Sequence, residues 1–189
     1  MSPKDNFEFF AKVTGKIEIN DIFIYITEKC NLNCDYCYFK DRRGRTLDFS
    51  IIKQFLDFIK HTLSNQPHRF IVTGGEALLF KPLVKKTFRY IKKLFPDTAI
   101  GIQSNGTLLD KNILEFLKKH SISLEIGIDG NFISVAKHRR NINKKIFNTL
   151  TSNIRNYIEE GSDIACSMTI HPDELNSLYD NFLFLTELG

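Results

Sequence analysis

Apolar and polar positions along the chain alternate between two periods. Short runs rich in β-branched and aromatic residues, at 17–27, 69–73, 98–104, 123–128 and 164–170, read as strands. Between them lie longer stretches with apolar residues three and four apart. The first carries Ile51, Ile52, Phe55, Leu56, Ile59 and Leu63, with Ser50 placed to cap it. The second opens at Pro82 and is stopped by Pro96, and the third runs from Asp110, a candidate N-cap, to about Lys119. A fourth runs from about Ile142 to Glu160 and is closed by Gly161. The last follows Pro172, over about 173–188. Five strand–helix units in regular alternation predict parallel strands with right-handed crossovers, hence an α/β sheet or barrel. Residues 1–16 precede the first strand as an N-terminal extension, and 17–189 form one domain.

Composition adds little to this picture but excludes some classes. Of 189 residues, 42% are hydrophobic and 25% charged, the make-up of a folded globular chain rather than a disordered one. Seventeen Phe and no Trp imply a core built largely on Phe. The net charge of +4 comes from Lys scattered over the outer faces of the helices, so no nucleic-acid partner is expected. The apolar run 22–26 is too short for a secretory leader or a membrane span. A cytoplasmic location without membrane attachment is the expectation. Thiols stay reduced there, and clustered cysteines point to metal or catalysis before disulfides.

Polar and glycine residues gather just after the strand C-termini: 30–37, 74–76, 104–106 and 129–130. In parallel α/β folds that edge is where sites are built. Cys30, Cys34 and Cys37 have the spacing C-x3-C-x2-C, so three thiolates can converge on one centre. Structural zinc usually takes four ligands, and ferredoxin-type loops supply four Cys in other spacings. Neither a His nor a fourth Cys lies close in sequence. Three ligands on an iron–sulfur cubane would leave one iron open for an outside ligand. A zinc-binding interaction module remains the alternative. Cys166 sits in a strand and reads as a buried small hydrophobe. His61, His68 and His120 read as surface or loop residues, and His171 stands at a strand end.

The segment from Tyr25 to Tyr38, with Tyr36 before the last cysteine, closely resembles the cluster loop of radical S-adenosylmethionine (radical SAM) enzymes. It is most similar to the branch of anaerobic sulfatase-maturing and SPASM-type peptide-modifying enzymes. Further matches are Gly74-Gly75-Glu76 after the second strand, Gln103-Ser104-Asn105-Gly106 at the third, and Asp129-Gly130 at the fourth. The fold this implies is a partial (β/α) barrel, with about five units present and the sixth strand missing. Cys30, Cys34 and Cys37 would hold a 4Fe–4S cluster, and S-adenosylmethionine would bind its open iron. Tyr36 would pack near the adenine. Glu76 or neighbouring carbonyls would accept from the ammonium, and Gln103, Ser104, Asn105 and Asp129 would contact the cosubstrate. Arg139 or Arg140 would pair with its carboxylate. Gly127 replaces a serine of the family that contacts the cosubstrate, and Val135-Ala136 stand where a His-Asp pair is usual. The resemblance implies reductive cleavage to a 5′-deoxyadenosyl radical that abstracts hydrogen, from a peptide or protein substrate, with an electron donor such as flavodoxin or ferredoxin. A truncated cluster-binding fragment without turnover is the other expectation.

Overall fold

The computed structural model describes residues 19–39, 43–63 and 65–189. The N-terminal extension lies outside them. Five parallel strands, β1 (Asp21–Thr27), β3 (Arg69–Gly74), β4 (Ala99–Ser104), β5 (Ser123–Gly127) and β7 (Ile164–Ser167), form one sheet in that order. A two-residue β2 (Asn33–Cys34) pairs antiparallel with β6 (Arg139–Arg140) as a separate ladder. The helices are α1 (Phe49–Thr62), α2 (Lys81–Leu94), α3 (Lys111–Lys119), α4 (Phe132–His138), α5 (Lys144–Glu159) and α6 (Leu178–Thr186). The α/β partial barrel expected from the sequence is therefore observed.

Strand alternation divides the sheet into two unlike faces. Ile22, Ile24, Ile26, Phe70, Val72, Ile100, Ile102, Leu124 and Ile126 are buried toward the helices. There they meet Ile52, Leu56 and Ile59 of α1, Val84, Phe88 and Ile91 of α2, and Phe147, Leu150 and Ile154 of α5, all in one apolar cluster. Each helix contributes residues at three- and four-residue spacing, the stripe read from sequence. The opposite face mixes large and small residues: Phe23 pairs with Ile71, Ile71 with Gly101, and Gly101 with Ser123. Toward the strand C-termini its Thr73, Gln103, Glu125 and Gly127 form the floor of a cavity.

Several local expectations are corrected. α1 starts two residues earlier than a cap at Ser50 would allow: Asp48 is the N-cap and makes no side-chain capping bond, and Ser50 lies inside the first turn. Asp110 does cap α3, accepting from the Ile113 amide. α5 begins at Lys144 behind Asn143, whose side chain accepts from Ile146. The segment after Pro172 is a 3-10 turn (Pro172–Ser177) before α6, with Asp173 drawn to Lys137 at 2.7 Å. α4, β2 and β6 had no periodic signature; they are too short for one. Cys166 is exposed on the edge strand β7 rather than buried.

Phe88 is 1% exposed and Phe182 57%. Phe88→Ala should lower the unfolding free energy by about 3–5 kcal/mol, whereas Phe182→Ala should change it by less than about 0.5 kcal/mol. Urea denaturation followed by circular dichroism measures both.

Candidate cluster and cosubstrate site

The loop after β1 and the ends of β3, β4 and β5 enclose a cavity of about 310 Å³. Cys30, Cys34 and Cys37 all line it, together with Gly74, Gly75, Gln103, Ser104, Asn105 and Arg139. The three thiols foreseen as one ligand set are thus brought to one space. The Cys34 thiol is pushed up by burial, with the neighbouring Cys30 and Cys37 adding to the effect against the opposing Arg139. A soft cation would relieve this by taking the thiolates, the ordinary donor set of an iron–sulfur cluster. The residues fit such a group.

Backbone contacts hold this loop in place. Gly75 donates to the Thr27 carbonyl at 2.7 Å, and Glu76 donates to that of Lys29 at 2.8 Å. A Cβ on Gly75 would lie 2.4 Å from the Lys29 oxygen and 2.7 Å from that of Glu28. The glycine pair therefore allows two protein backbones to meet. On the other side, Cys34 pairs with Arg139 across β2 and β6, and Asp35 donates to the His138 carbonyl at 3.0 Å. From below, the Asn105 amide donates to the Cys30 sulfur at 3.6 Å and to Asn31 Oδ1 at 3.0 Å.

Glu76 is 1% exposed and does not line the cavity. Its carboxylate accepts from the Leu78 and Asn105 amides and the Ser104 hydroxyl, at 2.9, 2.8 and 2.9 Å. Burial raises its pKa despite these donors. Its partners join the ends of β3 and β4, a positioning arrangement rather than an open acceptor. Gln103 donates to Glu125 at 3.0 Å, and Glu125 lines the cavity. Sequence reading passed over Glu125, although its place across from Gln103 follows once strand register is known.

Of the two arginines, Arg140 is exposed, while Arg139 is buried. Its Nε and Nη2 donate to the two oxygens of Asp129 at 2.6 and 2.7 Å. The Tyr36 hydroxyl donates to the same carboxylate at 2.6 Å, and the Thr169 amide adds a fourth donor at 3.1 Å. Burial would raise the Asp129 pKa, but Arg139 and the other donors outweigh it, so the carboxyl lies below its ordinary value. Asp129 and Tyr36 sit behind the cavity wall, and only Arg139 of the three lines it. A Cβ at Gly127 would approach Nη1 and Nη2 of Arg139 to 3.2 Å each. The glycine that replaces the family's serine thus gives the guanidinium its space.

This geometry belongs to a class of proteins that hold a cofactor at strand ends with three cysteines on the loop after the first strand. The chain belongs to the Radical SAM superfamily, whose model matches residues 24–182. It is 27% identical over 140 residues to a cysteine-type anaerobic sulfatase-maturating enzyme of Clostridium novyi, covering 68% of this chain and 37% of the relative. Among solved structures it is similar to anSMEcpe with bound AdoMet and Kp18Cys peptide: TM-score 0.74, 15% identity, 90% of this chain and 49% of that one. It is similar also to Streptococcus suis SuiB bound to the precursor peptide SuiA: TM-score 0.72, 15% identity, 97% of this chain and 40% of that one. The chain spans 27% to 42% of the length of the curated relatives it matches. No helix among the described residues is long and apolar enough to cross a membrane.

Removing one partner of a buried ion pair leaves an uncompensated charge, at a cost of about 3–5 kcal/mol. Asp129→Asn should destabilise the chain by that order at neutral pH. Because the folded-state pKa of Asp129 is depressed, its contribution is present above the unfolded value of about 3.9 and is lost as pH falls through the folded value. The variant's stability should therefore fall less steeply than the parent's as pH drops from about 5 to 3, in thermal melts across that range.

Proposed function

We propose that the chain is the catalytic core of a radical S-adenosylmethionine enzyme acting on a peptide or protein. The observation that carries this reading is the meeting of Cys30, Cys34 and Cys37 in one cavity with the ends of β3, β4 and β5. A 4Fe–4S cluster with S-adenosylmethionine supplies, when bound, reductive cleavage to a 5′-deoxyadenosyl radical that abstracts hydrogen from substrate.

The chain's own residues bind and orient. Cys30, Cys34 and Cys37 would hold the cluster. Gly74, Gly75, Gln103, Ser104 and Asn105 would form the cosubstrate wall, and Arg139 would offer its guanidinium to the carboxylate. Asp129 and Tyr36 would act one layer back by fixing Arg139, and Glu76 by fixing Ser104 and Asn105. The cavity floor with Glu125 would admit the substrate. The peptide class rests on the peptide-bound neighbours and the sulfatase-maturating relative, an analogy of fold and family. A cytosolic location and a flavodoxin- or ferredoxin-type electron donor complete the proposal.

Anaerobic reconstitution with iron and sulfide should give a broad brown charge-transfer spectrum with about four irons per chain. Cys30→Ala, Cys34→Ala or Cys37→Ala should abolish it, and Cys166→Ala should not. Reduced protein given S-adenosylmethionine should then release 5′-deoxyadenosine without added substrate, read by chromatography. About one zinc per chain with no acid-labile sulfide would establish the zinc module instead. A loaded cluster with no nucleoside product would establish a cluster-binding fragment.

A further inference from the structure

A second group of ligand-type side chains lies behind the cluster loop. Asp35 follows Cys34 directly, His138 ends α4, and His171 precedes the 3-10 turn after β7. These three residues present ligand atoms within 4.8 Å of one another. Nδ1 of His138 lies 3.1 Å from Asp35 Oδ2, and the His138 and His171 rings stack at 4.1 Å. His138 is 4% exposed, and its other nitrogen, Nε2, is buried with no hydrogen-bond partner. That nitrogen lies 3.3 Å from Asp173 Oδ1 and 3.9 Å from Glu174 Oε2, outside hydrogen-bond geometry with either. Lys137 engages the other oxygen of Asp173 at 2.7 Å, and His171 Nδ1 lies 2.7 Å from Asp173 Oδ1.

The tautomer explains why such a ring would be built. With the proton on Nδ1, the His138 Nε2 lone pair faces the carboxylates of Asp173 and Glu174 at 3.3 and 3.9 Å. With the proton on Nε2, that repulsion is relieved and the Nδ1 lone pair is turned toward Asp35. A nitrogen so arranged, with a carboxylate orienting the ring from behind, has the form of a metal-ligating histidine. Two imidazoles and a carboxylate are a donor set for zinc and its neighbours in the first transition row.

We infer that Asp35, His138 and His171 form a binding site for one divalent zinc-class ion, separate from the three cysteines. The ion would join the cluster loop, the end of α4 and the segment after β7, three stretches distant in sequence. One adjustment is required. Stacked imidazoles do not aim their lone pairs at a common point, so the His171 ring turns out of the stack, which its partly exposed side chain permits.

The site can be tested apart from the radical chemistry. Zinc is added to the cluster-loaded chain, whose three loop thiolates are occupied, and to a Cys30→Ser/Cys34→Ser/Cys37→Ser chain, which lacks those three; Cys166 is replaced by Ala in both. Metal retained after desalting is counted by mass spectrometry, and affinity is read by competition with a chromophoric chelator. The expected result is one zinc per chain in both proteins. His171→Ala and Asp35→Asn should each weaken binding at least about tenfold. His171→Ala should melt with its parent in EDTA but gain less from zinc. The inference is overturned if neither protein retains zinc, or if His171→Ala binds it as tightly as its parent. If the cluster does not assemble, the serine variant still decides the zinc site, so the two readings fail separately.

Discussion

The ion pair between Asp129 and Arg139 is the constraint on which the site depends. Both charges are withdrawn from water, so each is stable only while the other stays in place. Asp129 stands just beyond the end of β5, and Arg139 pairs through its backbone with Cys34. One carboxylate thereby fixes a cysteine of the loop against the sheet through a guanidinium. Tyr36, between Cys34 and Cys37, donates to that same carboxylate. The loop is thus anchored from within its own sequence and from a strand about 90 residues away.

The remaining anchors follow the same logic of satisfying buried polar groups across elements. Glu76 collects three donors, one from Leu78 in the 3-10 turn that follows it (Ala77–Phe80) and two from the end of β4. Asn105 reaches from that strand end to Cys30 and Asn31. Cys30 and Cys34 therefore each have a neighbour whose position is set by a different element, Asn105 at the end of β4 and Arg139 on β6. The proposed chemistry would require such fixed geometry, since misplacement of a reacting group by about 1 Å can cost two decades in rate.

Much of this was legible in the sequence. Strand and helix periods located the five main strands, because each strand buries one face and each helix one stripe. The residues that meet at the cavity could be located because they cluster after strand ends. What escaped notice was non-local. A two-residue ladder such as β2–β6 has no period. The partner of Arg139 could not be read from its flanking residues, nor could the meeting of His138 and His171 with Asp35. Cys166 was misplaced because alternation identifies faces but not sheet edges, and β7 is an edge.

The close approach at Gly75 has a consequence for how this region tolerates change. The contact is between main chains: Thr27 and Lys29 offer carbonyls, and Gly75 and Glu76 offer amides. Nothing in it reads the side chains of Glu28 or Lys29. Those side chains engage Arg45 and the Phe80 ring instead, so substituting them would leave this contact in place, whereas changing the number of residues between β1 and Cys30 would not. An inserted residue would slip both carbonyls past their donors and carry the cysteines out of step with the sheet. The length of this segment, rather than its side chains, therefore sets where the cysteines stand against the sheet.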